Sequence, residues 1–238
     1  MAGIRASCRG PAIAYAAQVT FVDVLVWIGT LAFAATGALV AVRKRFDLIG
    51  VLVLASVTAI GGGSIRDVIV GVLPPSNIVN EPLHWVVAAT ALVVFALPHR
   101  LSEESRLLYL LDTLGLAVFA ALGAERGVEH GMGLWGTVFA GAVSGVGGGV
   151  MRDVLSGRVP GIFYRFGDFY ASAAALGALT FYLIDAIDPS LALSLAVVVT
   201  AVVRVGSRFL KLKLPVPRTL DGEDAEPRPR SFGRRQDD

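Results

Sequence analysis

A single cysteine, Cys8, stands in the 238-residue chain, so neither a disulfide framework nor a thiolate metal cluster can form. Histidine is nearly as scarce. His84, His99 and His130 lie far apart, match no ligand spacing, and read as buried or interfacial rings with no metal between them. Charge is short as well: Asp, Glu, Lys and Arg make up 17% of the chain, where an average soluble domain carries about 25%. The surface that would face water is therefore missing. No nucleophile–base pair and no phosphate loop stands out, so an enzyme is not expected, nor is a bound cofactor or a nucleic-acid partner.

What the chain has in abundance is apolar sequence, 55% of all residues, with a mean hydropathy of +0.68. It gathers in runs at 22–42, 48–71, 82–98, 107–124, 134–157, 166–187 and 189–205. A run of about 18 apolar residues is long enough to cross a bilayer as a helix. Val86–Leu97 is apolar on every side, without the stripe of a soluble amphipathic helix. The expected fold is thus an all-α integral membrane protein with seven transmembrane helices. Lys and Arg favour cytoplasmic loops. Arg43, Lys44 and Arg45, the loops near 100–106 and 158–165, and a last segment with Arg204, Arg208, Lys211 and Lys213 fall on one side, while the opposite loops hold only Arg126. That places the N-terminus outside and the C-terminus in the cytoplasm, with the inner (plasma) membrane as the location. Residues 1–20, interrupted by Pro11 and Gln18, read as an N-terminal extension, and 215–238, rich in proline and in both charge signs, as a disordered cytoplasmic tail.

Shifted by 86 residues, the chain aligns with itself. Gly61-Gly62-Gly63 and Arg66-Asp67-Val68 fall on Gly147-Gly148-Gly149 and Arg152-Asp153-Val154; Gly29, Phe33, Gly37 and Ala38 fall on Gly115, Phe119, Gly123 and Ala124. The units are 21–105 and 106–188, three helices each, with 189–214 as a seventh helix left over. Because three is odd, the second unit enters the membrane from the opposite side. Such inverted repeats place their site near the midplane, where corresponding helices are interrupted.

The glycine triplets are the corresponding interruptions. A helix-interior glycine costs about 0.8–1 kcal/mol relative to alanine, and irregular backbone survives in a membrane where it lines a cavity. One reading is a kinked or unwound segment exposing carbonyls to a pore; the other is close helix packing. Three consecutive glycines point in three directions, which favours the kink. Arg66-Asp67 and Arg152-Asp153 follow the triplets, and intramembrane charge marks a pathway. Helix neighbours do not face each other, so each Arg–Asp pair is expected to neutralise itself poorly. Arg66 and Asp153, roughly 13 Å apart at 1.5 Å per residue, are too distant to pair. The expected picture is one charged pair in each of two vestibules; the alternative places both pairs at the headgroup boundary. Ser64, Thr58 and Ser144 join the vestibules, although such hydroxyls usually bond back to their own helix. Asp112 is either a vestibule carboxylate or a boundary residue near the inner face.

GTLAFAATGA (29–38) with GGGSIRD (61–67), and GLAVFAALGA (115–124) with GGGVMRD (147–153), form a doubled pattern. Over about residues 21–214 it resembles the prokaryotic branch of the TRIC family, the trimeric intracellular cation channels. The resemblance implies a homotrimer with a pore inside each subunit, permeable to monovalent cations and mainly to potassium, with the second and fifth helices kinked at the glycines. Permeant potassium or sodium ions and bound lipid are the expected ligands. The chain departs from animal members, which carry a Lys-Glu-Val element where this one has Ser64-Ile65-Arg66-Asp67. Close prokaryotic relatives carry a glycine-transporter label, so a secondary carrier of a small solute such as glycine is the alternative function, and an inverted repeat suits it equally.

Overall fold

The computed structural model describes residues 9–97, 105–163 and 169–210, and among them every regular element is helical. In chain order these are α1 (Arg9–Arg43), α2 (Leu48–Val70), one helical turn at Ser76–Val79, α3 (Glu81–Ala96), α4 (Ser105–Glu129), α5 (Leu134–Leu155), a 3-10 turn at Gly161–Phe163, α6 (Tyr170–Ile184) and α7 (Pro189–Phe209). Local chemistry sets the ends. Asp47 caps α2 by accepting from the Gly50 N–H at 2.8 Å, and Asp188 caps α7 by accepting from Leu191 N–H at 2.9 Å. The α2 helix stops at Gly71, whose φ of 84° lies in the left-handed region that glycine enters freely.

Two expectations shift. Residues 9–20, read from sequence as part of an extension, continue α1 as helix; Pro11 falls in the first turn, where a missing N–H leaves no bond unmade. The runs at 82–98 and 166–187 give shorter helices, Glu81–Ala96 and Tyr170–Ile184. Leu97 leaves helical geometry just before Pro98, as residues preceding proline do. Among the described residues, five helical segments are long and apolar enough to cross a membrane: Phe21–Arg43 within α1, Leu48–Val70, Arg106–Glu129, Leu134–Leu155 and Pro189–Phe209. The tail at 215–238 lies outside the described residues.

Helices α1, α2 and α3 pack on one another, as do α4, α5 and α6; the two sets meet where α2 lies on α5 and α1 on α4, and α7 packs on α4 and α6. Small residues fill the seams, with Ala34, Ala38, Ala55, Ala120, Ala121, Ala124 and Ala140 buried. Large apolar side chains point the other way: Ile49, Val53, Val93, Phe139, Leu183 and Val202 are each more than half exposed. So much apolar surface is unstable in water and at home in lipid. The chain is a multi-pass membrane protein.

Candidate functional site

The site begins where α2 crosses α5. A methyl group placed on Gly62 would strike the Ser144 carbonyl, and one on Gly148 would strike the Thr58 carbonyl. The 86-residue shift carries Gly62 to Gly148 and Thr58 to Ser144, so these contacts are reciprocal. The flanking helices repeat the exchange: Gly29 lies under the Phe119 ring and Gly115 under the Phe33 ring, and the two rings stack at 5.4 Å between centroids. Each triplet divides its labour. Its middle glycine admits the opposing backbone; its last admits a polar side chain, the Asn77 amide over Gly63 and the Tyr170 hydroxyl over Gly149.

The unwound reading is therefore corrected. Both α2 and α5 remain helical through their triplets, and the three directions in which three glycines point are three packing contacts. A helix holds its own hydrogen bonds, and the glycines are used because no Cβ fits.

On one side of the crossing lies a cavity of about 210 Å³, lined by Val22, Val26, Arg66, Ser76, Asn77, Phe119, Glu125 and Glu129 among others. Arg66, 4% exposed, donates Nε–H and Nη2–H to Asp67 Oδ1 at 2.9 and 2.6 Å. Asp67, fully buried, accepts at Oδ2 from the Ser76 backbone N–H (2.7 Å) and hydroxyl (2.6 Å). Helix neighbours thus do pair, against the expectation: the arginine stem is long enough to curl back around its own helix, a reach that arguments from Cβ direction ignore.

On the other side a cavity of about 200 Å³ is lined by Asp112, Gly149, Arg152, Asp153, Tyr170 and Arg204 among others. Arg152 donates Nη1–H to Asp112 Oδ1 at 2.6 Å and Nε–H to Asp153 Oδ1 at 3.0 Å. The second Asp112 oxygen accepts from Arg204 Nη2–H at 2.5 Å. The Arg204 guanidinium lies over the Tyr170 ring at 4.4 Å and the Tyr109 ring at 5.0 Å, a favourable cation–π placement. Among the described residues, Arg204 Nε and Nη1, Tyr170 Oη and Ser144 Oγ are buried without hydrogen-bond partners.

The expected residues therefore fall into three groups. Gly61, Gly62, Gly63, Gly147, Gly148 and Gly149 form the crossing or its edges, with Met151 against Gly61. Arg66, Asp67, Arg152, Asp153 and Asp112 enter two separate ionic clusters. The Thr58 and Ser64 hydroxyls bond back to the Leu54 and Ile60 carbonyls at 2.6 and 3.0 Å. Arg66 and Arg152 are both buried among the helices, 4% and 7% exposed. Sequence reasoning missed Ser76, Asn77, Glu125 and Tyr170, and set Arg204 in a cytoplasmic segment; it lies inside α7, 5% exposed. For Glu125 and Arg204 the signal was present, a charged side chain at the end of an apolar run.

A family model described as glycine transporter matches residues 23–99 and 109–186, one stretch in each unit. A UPF0126 membrane protein of Deinococcus radiodurans is 52% identical over 151 residues, 63% of this chain and 70% of that protein. A solved structure that explains conductance through TRIC cation channels superposes with a TM-score of 0.76 at 34% identity, covering 83% of this chain and 97% of that one. The TRIC trimeric intracellular cation channel orthologue from Rhodobacter sphaeroides gives a TM-score of 0.72 at 33% identity, covering 81% and 100%.

Proposed function

Because the chain belongs to the UPF0126 membrane proteins, a prokaryotic family with the TRIC fold, we propose that it is a passive channel for monovalent cations, mainly potassium, with a pore inside each subunit of a homotrimer. The observation that carries this reading is the pair of polar cavities, about 210 and 200 Å³, each holding the Arg–Asp pair of its own unit and separated by the glycine crossing. Two recesses on either side of the backbone contact at Gly62 and Gly148 would have that contact as the barrier an ion must pass. The reciprocal contacts at Gly62 and Gly148 support an inverted repeat of 21–105 and 106–188, with α7 as the seventh span and the shorter α3 and α6 spanning through thinned or tilted surroundings. In this reading Arg66, Asp67, Arg152, Asp153, Asp112, Ser64, Thr58 and Ser144 border the path. The N-terminus is outside, the C-terminus is cytoplasmic in the inner membrane, and bound lipid covers the exposed apolar face. The Arg66 cavity is then the outer one and the Arg152 cavity the inner one. The solved structures it matches are of cation channels, and no catalytic step is assigned.

A second reading, a carrier for a small zwitterion such as glycine, is favoured by the family description and by both charge signs standing together in each cavity. Purified protein in liposomes with a potassium gradient separates the two. A potassium current without added solute, not saturating at low concentration, is expected. Glycine uptake with no potassium current would replace the channel by the carrier.

A further inference from the structure

Two arginines border the outer cavity, Arg66 and Arg126, and each is already matched. Arg66 is held by Asp67 at 2.6 Å and Arg126 by Glu129 at 2.9 Å. Glu125 is the charge left over. It lines the same cavity at 9% exposure, and among the described residues no hydrogen bond or ion pair reaches its carboxylate. Around it stand two further carboxylates, Glu129 and Asp185, and the two occupied guanidiniums. Its partner under the 86-residue shift is Leu39, 3% exposed in the core, so the fold does not need a charge there. A carboxylate without a bonded counter-charge inside a membrane protein is costly and attracts whatever neutralises it.

We propose that Glu125 is the anionic ligand of a monovalent-cation site in the outer cavity, and that this site determines how permeant ions are captured before the glycine crossing. The neutral oxygens are at hand. The Ser76 hydroxyl spends its proton on Asp67 and keeps its lone pairs. The Asn77 amide nitrogen is the atom against Gly63, which leaves its oxygen for the cavity. One carboxylate with neutral oxygens suits a large, weakly hydrated cation such as potassium, rubidium or thallium better than a divalent ion, which demands more charge. Glu125 lies four residues before the end of α4, about 6 Å of helix rise, near enough to the outer face for an ion to arrive hydrated and shed only part of its water.

This inference rests on the channel reading, and the test keeps the two apart. Crystals of the full chain grown in thallium salt should show an anomalous peak at the Glu125 carboxylate, absent in Glu125→Gln. No peak in the parent overturns the site, because a proton would then be the neutralising partner. In liposomes, half-saturation of thallium flux should rise about tenfold in Glu125→Gln and much less in Glu129→Gln. Unchanged half-saturation in Glu125→Gln also overturns the site. A parent that binds thallium at Glu125 but passes none keeps the site and removes the channel. Should Glu125→Gln fail to fold, Glu125→Asp, which keeps the charge and shortens its reach, must show a weakened or displaced peak.

Discussion

The two cavities carry the same Arg–Asp dipeptide, 86 residues apart in the chain, yet they are wired differently. At the first cavity Arg66 is satisfied within its own helix, and Asp67 is fastened to the loop that follows through Ser76. At the second cavity Arg152 reaches across to Asp112 on α4, and Asp112 reaches on to Arg204 on α7. The divergence comes from single positions. Under the shift of 86, Val26 corresponds to Asp112, Leu39 to Glu125 and Ser76 to Ile162. On matching positions of the two stretches, a few differences leave one cavity a spare carboxylate and the other a closed ionic lattice of three helices. The Arg152 cavity is thus latched by charges shared among three helices, whereas the Arg66–Asp67 pair stays on one helix.

The crossing belongs to both sides at once, so its disruption should have the largest effect. Gly148→Leu and Gly62→Leu each drive a side chain into an opposing carbonyl, and overpacking of this kind costs about 1–3 kcal/mol or more. Each should abolish potassium flux and lower the yield of monodisperse protein on size exclusion. Gly206→Ala, with open space around its Cβ, should fold and conduct as the parent. A conducting, well-folded Gly148→Leu would remove the crossing from the mechanism.

Next in size is the latch. Asp112→Asn leaves Arg152 and Arg204 without their shared anion; breaking a buried pair costs about 3–5 kcal/mol. Its melting temperature in detergent should fall further than that of Asp67→Asn, which strips the anion from one buried guanidinium, Arg66, where Asp112→Asn strips it from two. Combining Asp112→Asn with Arg204→Met should recover part of the loss, since Arg152 keeps Asp153 at 3.0 Å. If Asp67→Asn is the more damaging variant, the two cavities are not wired as described.

Much of this was legible beforehand. The 86-residue repeat, the apolar runs and the two groups of charges all stand in the sequence, because a membrane makes every polar residue conspicuous. At the triplets only the unwound alternative fails, for a physical reason: glycine signals both a broken helix and a close approach, and the opposing Thr58 and Ser144 carbonyls show the close approach. The pairing of Arg66 with Asp67 was hidden by side-chain length. That Arg152 chooses Asp112 as well, 40 residues away, depends on how α4 and α5 meet, which no local spacing encodes. Asn77 and Tyr170 were invisible because their neighbours Gly63 and Gly149 are what give them a role.

The smallest expected effect concerns the loop that fastens Asp67. Ser76 gives Asp67 two hydrogen bonds, one from its backbone and one from its hydroxyl. Ser76→Ala removes only the second, and a bond to a charged group contributes about 1.5–3 kcal/mol at most. The backbone N–H and Arg66 remain, so a loss near the lower end is expected, seen as a small drop in melting temperature. Ser64→Ala is the proper control, since that hydroxyl only returns to the Ile60 carbonyl at 3.0 Å, and its loss should be smaller still. At the repeat-related position Ile162→Ala removes no bond to Asp153 and should leave the inner ionic lattice intact. Cation flux through these variants decides one further point. If Ser76→Ala alters the flux while Ile162→Ala does not, the loop at 71–80 is part of the outer cavity's function as well as its scaffold. If the two behave alike, the difference between the cavities resides entirely in Glu125 and Asp112.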